Sequence, residues 1–429
     1  MKTKSTPESN SRRRQNFILH LHPAKVREAS IKFSLTFGLG GMAAVLFLIQ
    51  VFTGILLRFS YSPTPAEAYD SILSIQNSIL FGQLVRNMHH WSGILFVVIA
   101  FLHLLRTFYT GAFYPDRRWN WVLGISLMVT VIFANFTGYL LPWDQLAYWA
   151  ITVSTSMLNY FPVVGDQLTG FIRGGQNVNA STLLIFYNFH TAILPLTIVL
   201  LMVFHFWKVR KNNGVVVPEN ADGEMVPSNP DLVSKELVVA LSLIAFVLIL
   251  SILFNAPLQE RADPALSPNP AKAPWYFMGI QELLLHFHPF FGAILIPLLF
   301  LTAMIWLPFL RYPKQYRGIW FFNAKGKKLA WLALISATLL VTAGTLLDEY
   351  FPDFEIWLKN IPPVISNGLI PFILVSGLIF ILTMLVKKKL NPDKSELILF
   401  VFSFVIASYA LLTIAGVWFR GPGMKLMWP

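Results

Sequence analysis

The chain has no cysteine among its 429 residues. That excludes disulfides, thiolate-held iron–sulfur clusters and thioether-linked haem from this polypeptide. Charge is also scarce: Asp, Glu, Lys and Arg make up 13% of residues, against 55% hydrophobic. An ordinary soluble domain carries about twice that charged share. Acidic residues are the scarcer sign, 21 against 33 Lys and Arg, for a formal net charge of +12. No apolar stretch lies near the start, where residues 1–32 are polar and basic, so no cleaved signal is expected there.

What fills the chain instead is a series of apolar runs of about twenty residues, the length that crosses a bilayer as a helix. Nine are expected, near 36–57, 88–109, 120–141, 183–206, 236–254, 290–310, 329–347, 364–386 and 396–418. The basic residues sort onto one side of them. With an inner N-terminus, residues 1–32, 106–118, 208–235, 311–328 and 387–394 hold 25 of the 33 Lys and Arg. This positive-inside pattern predicts a cytoplasmic N-terminus and an outer C-terminus. The net charge thus reads as topology and lipid contact, and nucleic-acid binding is a poor reading of it because no basic stretch forms a soluble module. The expected class is an all-α polytopic membrane protein of eight or nine spans, with an N-terminal four-helix bundle holding two haems.

The haems follow from four histidines. His89 and His103 are fourteen apart on one span, and His190 and His205 are fifteen apart on another. At ~1.5 Å and ~100° per residue, each helix presents one imidazole near each membrane surface on roughly one face. Ionisable groups inside a bilayer are costly and usually functional. Haem uses lone His ligands at such separations. Gly40 and Gly54, and likewise Gly124 and Gly138, repeat the fourteen-residue interval. Glycine lets a flat macrocycle approach a backbone, although in membrane helices it also serves plain helix packing. Arg86 and Arg106 stand one helical turn from His89 and His103, placed for haem propionates or for headgroups. His90 points about 100° away and reads as structural or exposed.

The remaining segments are read in order. A basic, disordered N-terminus carries His20 and His22 as exposed residues, and residues 24–33 are expected as an amphipathic surface helix. Residues 142–160 are expected as short helices along the outer surface. Residues 212–234, with three prolines, form a linker between a haem-binding unit (33–211) and a second unit (235–347), followed by further spans and a tail (348–429). The long outer loop ends in WYF at 275–277, where it would cap a pocket against 142–160. Glu282 is either a surface glutamate or a carboxylate at a low-dielectric edge, with a raised pKa suited to carrying protons. His286 and His288 read as interfacial. The last three spans read as scaffold.

Residues 24–211 resemble cytochrome b of the cytochrome bc-type complexes, most of all the short cytochrome b6 form. The matching strings are RNMHHWSG, FLHLLR, TGYLLPWDQLAYWA, IRGG, FYNFHT and HFWKVRK. Residues 230–345 resemble the companion subunit of that split form, here fused into one chain. The resemblance implies two bis-histidine b haems, an outer one on His89 and His190 and an inner one on His103 and His205, with room made by Gly40, Gly54, Gly124 and Gly138. It implies quinol oxidation at an outer pocket of Tyr148, Trp149, Trp275 and Tyr276. One electron would go to a Rieske iron–sulfur protein and onward to a c-type cytochrome or equivalent acceptor. The other would cross the haems to an inner quinone site, for which Arg210, Asp231 and Lys235 are candidates. Proton translocation, a homodimeric complex and a bacterial inner membrane are implied with it. Two departures stand out. The family's proline–glutamate–tryptophan–tyrosine string reads Ala273, Pro274, Trp275, Tyr276, so Glu282 is the expected substitute for the missing glutamate. The photosynthetic form's haem-linking cysteine corresponds to Gly38.

Two other classes compete. A di-haem membrane anchor for a dehydrogenase explains the histidines but not the outer loop. A transporter would place charge at midplane and show related halves, which this chain does not.

Overall fold

The computed structural model describes residues 23–114, 116–221, 223–314, 316–351 and 354–428. The expected disordered stretch with His20 and His22 lies outside them. Among the described residues nine helices are long and apolar enough to span a membrane. In chain order they are α1 (Leu39–Arg58), α3 (Gly82–Tyr109), α4 (Arg118–Tyr139), α7 (Ala180–Lys211), α8 (Ser228–Leu253), α10 (Phe290–Phe309), α11 (Ala324–Tyr350), α12 (Ile365–Leu390) and α13 (Lys394–Trp418). Shorter helices lie between them: α2 (Ala68–Asn77), α5 (Gln145–Ser156), α6 (Gly165–Arg173) and α9 (Met278–His286). The chain is thus an all-α polytopic membrane protein, as its composition requires. The side carrying residues 23–36 is called inner below.

Local chemistry sets the helix ends. Asp144 accepts from the Ala147 N–H and caps α5, Asn179 caps α7 with Thr182 in a reciprocal box, and Asp393 with Glu396 does the same for α13. Besides the first turn of α8 at 228–232, three spans contain a widened turn with one extra residue, at 189–193, 290–295 and 365–369. Each is followed two residues later by a proline, Pro195, Pro297 and Pro371. The cause is common: the ring lacks an N–H and clashes with the carbonyl four residues back, which falls inside the widened turn each time.

The amphipathic helix expected at 24–33 does not form. Residues Lys25–Arg27 are a strand, β1, paired antiparallel with β2 (Met225–Pro227), and 28–31 is a single 3-10 turn. A partner two hundred residues away supplies the hydrogen bonds that a helix would have made internally.

Packing divides the molecule into layers. Helices α1, α3, α4 and α7 form the first bundle, with α8 closing against α3. Leu46, Phe47, Phe96, Val97, Val131, Ile198, Leu243 and Val247 fill its interior. On the inner side an aromatic core joins it to the second half, with Phe108 stacked on Phe402 at 3.6 Å. Helix α13 packs along α11 and against α9, whereas α12 buries only Ser366, Gly368 and Val386 and faces outward elsewhere.

Candidate functional site

The four intramembrane histidines meet as two couples. His89 of α3 faces His190 of α7 with ring centroids 5.9 Å apart and planes at 79°. His103 faces His205 at 6.4 Å and 75°. A metal bonded to both rings of a couple at about 2 Å needs centroids roughly 6 Å apart, so both couples match a bis-imidazole ligand set. On α3 the couples are separated by ~21 Å along the axis.

The unequal intervals, fourteen and fifteen, are reconciled by the widened turn at 189–193, which contains His190. One surplus residue absorbed there leaves the equivalent of fourteen for the ordinary helix, so His190 and His205 share a face as closely as His89 and His103 do.

Helices α1 and α4 supply the backing. A methyl group added at Gly40 would lie 3.2 Å from His103 Cε1, and one at Gly54 3.2 Å from His89 Cε1. At Gly124 it would lie 3.7 Å from His205 Cε1, and at Gly138 only 2.5 Å from His190 Cε1. All four glycines therefore face ligand-type imidazoles, one each.

Ring orientation is set on the outer couple. Thr53 Oγ1 donates to the Ile49 carbonyl at 2.6 Å and accepts from His89 Nδ1 at 2.9 Å. His190 Nδ1 donates to the Ala134 carbonyl at 2.9 Å. Both bonds leave Nε2 for a metal. Gln50 Nε2 adds donations to the His89 carbonyl and to Ser92 Oγ. On the inner couple, His205 Nδ1, Asn120 Oδ1 and Arg106 Nη2 are buried without a partner. They surround a cavity lined also by Gly40, His103, Arg117 and Gly124. The unpaired Arg106 guanidinium N–H beside two imidazoles is what an anionic, metal-bearing ring would satisfy, so the residues present fit haem.

The flanking arginines are not equivalent. Arg106 spends Nε on the Leu35 carbonyl and keeps Nη2 toward the cavity. Arg86 instead donates to the carbonyls of Ala256 and Pro257, fastening the outer loop. His90 makes an edge contact with Trp91. Sequence reading missed Thr53, Arg117 and Asn120. Thr53 stands directly before Gly54, and Asn120 four before Gly124, which is the signal that was available.

Outer residues gather around the end of α4. Tyr148 is buried in a cluster with Trp143, Leu140 and Phe186, and Trp149 Nε1 donates to Asp263. Loop and helix are stitched by Gln145 N to Glu260, Ala262 N to Trp143, and Asp144 Oδ2 accepting from Gln259 N. Burial pushes the Asp144 carboxyl up against these hydrogen bonds. Trp275 and Tyr276 sit in a 3-10 turn whose Phe277 meets Phe136 of α4 edge-on at 5.4 Å. Burial raises the Tyr276 phenol.

Glu282 departs from expectation. It is buried, yet its carboxyl is held below the ordinary range: burial would raise it, but His286 and Arg420 outweigh that. Arg420 Nε and Nη2 grip both carboxylate oxygens, at 2.6 to 3.1 Å. His286 bridges Glu282 at 3.3 Å and Asp348 at 2.6 Å. These two carboxylates overcome the cost of burial and raise His286 to about 9. A carboxylate so paired is a poor proton acceptor at neutral pH, which corrects the raised pKa expected of Glu282. On the inner side, Arg210 is exposed, Asp231 half-buried, and Lys235 reaches the Ile31 carbonyl at 3.4 Å.

Comparison with known proteins agrees with this geometry. The family described as Cytochrome b/b6/petB matches residues 25–213. Cytochrome b6 of Heliomicrobium gestii is 44% identical over 189 residues, covering 44% of this chain and 87% of that protein. Cytochrome b6 of Synechocystis sp. is 43% identical over 173 residues, covering 40% and 78%. A solved structure titled "Hyperthermophilic respiratory Complex III" shares the fold with a TM-score of 0.67 at 23% identity, over 95% of this chain and 96% of that one. With two histidine couples inside a four-helix membrane bundle and relatives of this closeness, the chain belongs to the cytochrome b/b6 family of haem-b-binding integral membrane proteins.

Proposed function

We propose that this chain is the cytochrome b subunit of a membrane quinol oxidoreductase, with two bis-histidine haems. The observation that carries the reading is the pair of opposed imidazole couples, one near each membrane surface, each backed by two glycines. His89 with His190, and His103 with His205, would hold the iron; Arg106 would meet an inner propionate. Bound there, haem b supplies reversible one-electron transfer.

The chain's own residues do the rest. Tyr148, Trp149, Trp275 and Tyr276 would supply aromatic faces for a quinol ring on the outer side, beneath a stitched loop. A quinol leaving two electrons and two protons there sends one electron toward a Rieske iron–sulfur partner, whose acceptor is a c-type cytochrome or equivalent. The second goes inward to a quinone at the opposite surface, near Arg210, Asp231 and Lys235. Protons released outside and taken up inside charge the membrane. The positive-inside distribution supports a cytoplasmic N-terminus in a bacterial plasma membrane, and the resemblance supports a homodimeric complex.

The test is a reduced-minus-oxidised spectrum with haem quantitation on the purified protein. Two b haems per chain are expected, falling to one in His103→Leu or His205→Leu. Absence of a b-type band, or full pigment in both variants, rejects the reading. Duroquinol oxidation by the purified complex tests the catalytic part. Co-purification of an iron–sulfur protein separates a quinol oxidase subunit from a di-haem anchor serving a dehydrogenase.

A further inference from the structure

The outer pocket has one wall whose own chain gives it little rigidity. Residues 254–274 have no helix or strand and include Pro257, Pro264, Pro268, Pro270 and Pro274. The WYF turn at 275–277 follows directly, and α9 is only 9 residues long before the backbone becomes extended at Phe287. Local structure alone leaves the position of Trp275 and Tyr276 loosely set. What sets it must come from packing.

That packing is supplied by α13 and the tail after it, over 120 residues further along the chain. Two glycines bring the helices together: a methyl at Gly279 would lie 2.7 Å from Tyr409 Cε2, and one at Gly416 2.8 Å from Met278 Cε. Polar bonds then fix the register along the whole segment. Gly423 N donates to Asn269 Oδ1 at 2.5 Å, and Lys272 Nζ to the Val417 carbonyl at 2.9 Å. Tyr409 Oη donates to the Tyr276 carbonyl at 2.7 Å. Arg420, whose side chain is 1% exposed, holds Glu282, which is 0% exposed. Arg420 also reaches Glu349 of α11 at 2.6 Å and the Met424 carbonyl at 3.1 Å, and Glu349 accepts from Leu426 N at 3.0 Å. On its other side the same turn touches α4 through Phe136. The WYF turn is therefore held between the haem bundle and the last helix.

We propose that α13 is a clamp on the outer quinol pocket, in which Tyr409 and Arg420 are positioning residues for Trp275 and Tyr276. The clamp acts through the Tyr276 carbonyl and through Glu282. It gives Glu282 a role other than proton transfer: the buried fork between Arg420 and Glu282 sets the rotation of α9, and a neutral partner would leave a charge unpaired. The proposal rests on the reading of 148–149 and 275–276 as a quinol site.

The experiment uses the purified complex with the full chain. Tyr409→Phe and the charge-conserving Arg420→Lys are compared with the parent for haem content, amide hydrogen exchange at 269–286, and KM and kcat with duroquinol. Tyr409→Phe removes one neutral hydrogen bond, which carries a factor of about five. Exchange at 275–286 and KM should each rise by about that factor in Tyr409→Phe, with full haem and kcat held within about twofold. Arg420→Lys should do more, because an ammonium cannot reproduce the planar fork. If Arg420→Lys fails to assemble, Tyr409→Phe decides alone. Unchanged exchange overturns the clamp, and so does faster exchange at unchanged KM, which leaves a structural contact only. A parent complex that does not oxidise duroquinol defeats the quinol reading instead, and the exchange arm still reports on the clamp.

Discussion

Helices α3 and α7 do the same work by different means. Each presents two imidazoles about four turns apart to the other. In α3 the interval is fourteen residues of unbroken helix. In α7 it is fifteen, and the surplus residue is taken up in the widened turn around His190, two residues before Pro195. What is matched is the angular phase of the side chains, and residue count is free to vary as long as something local absorbs the difference. The environments differ too. Outer-couple rings have hydrogen-bond acceptors at Thr53 and Ala134, while on the inner couple His205 Nδ1 has no partner and an arginine N–H is left open beside it.

Breaking the phase on the regular helix has the largest expected effect. One alanine inserted between Ala100 and Phe101 turns His103 by about 100° away from His205, with no proline nearby to host a bulge. Haem quantitation should then give about half the parent value, with the outer haem kept. The same logic sharpens on α7. Deleting Ala192 together with Pro195→Ala restores fourteen residues of plain helix, and both haems should be retained. Deleting Ala192 with Pro195 in place should lose the outer one.

The glycine contrast comes next. Gly138→Ala puts a methyl 2.5 Å from His190 Cε1, so that something must shift, whereas Gly124→Ala meets His205 at an ordinary 3.7 Å. Outer-haem loss or a split absorption band is expected in the first variant and a parent spectrum in the second. Equal behaviour of the two would remove the assigned role of these positions.

A smaller change is expected from Thr53→Val, which deletes the acceptor for His89 Nδ1 without altering volume. A less electron-rich imidazole should raise the midpoint potential of the outer haem and leave the inner one alone, read by redox titration. No inner-couple substitution should reproduce it.

The smallest effect is a pH dependence in the outer ion-pair cluster. His286 is raised from an ordinary 6.5 to about 9, so its contribution is complete below about 6.5 and is lost as pH rises through about 9. Glu282 is lowered, so its contribution stands above its ordinary range and fades only as pH falls below it. Thermal unfolding of the parent should therefore weaken between about pH 7 and 9.5 more than in His286→Asn.

Much of this was legible in the residues. Nine spans follow from run length alone, because a bilayer demands internal hydrogen bonding over a fixed thickness. The histidine couples follow from helical phase, and the glycines from their repetition of the same interval. Three things were not legible. Lys25–Arg27 reads as part of an amphipathic helix until Met225–Pro227 is brought beside it. The pKa of Glu282 depends on Arg420, 138 positions away, which no local pattern announces. The division of labour between Arg86 and Arg106 turns on carbonyls at 256, 257 and 35. In each case a distant segment decided the outcome.

The linker at 212–224 joins two parts that already grip each other without it. Arg86 holds the carbonyls at 256 and 257, Asp144 the amide of Gln259, and Phe108 stacks on Phe402. A break in the backbone at 212–224 is therefore expected to leave two pieces that stay together through contacts at both membrane faces.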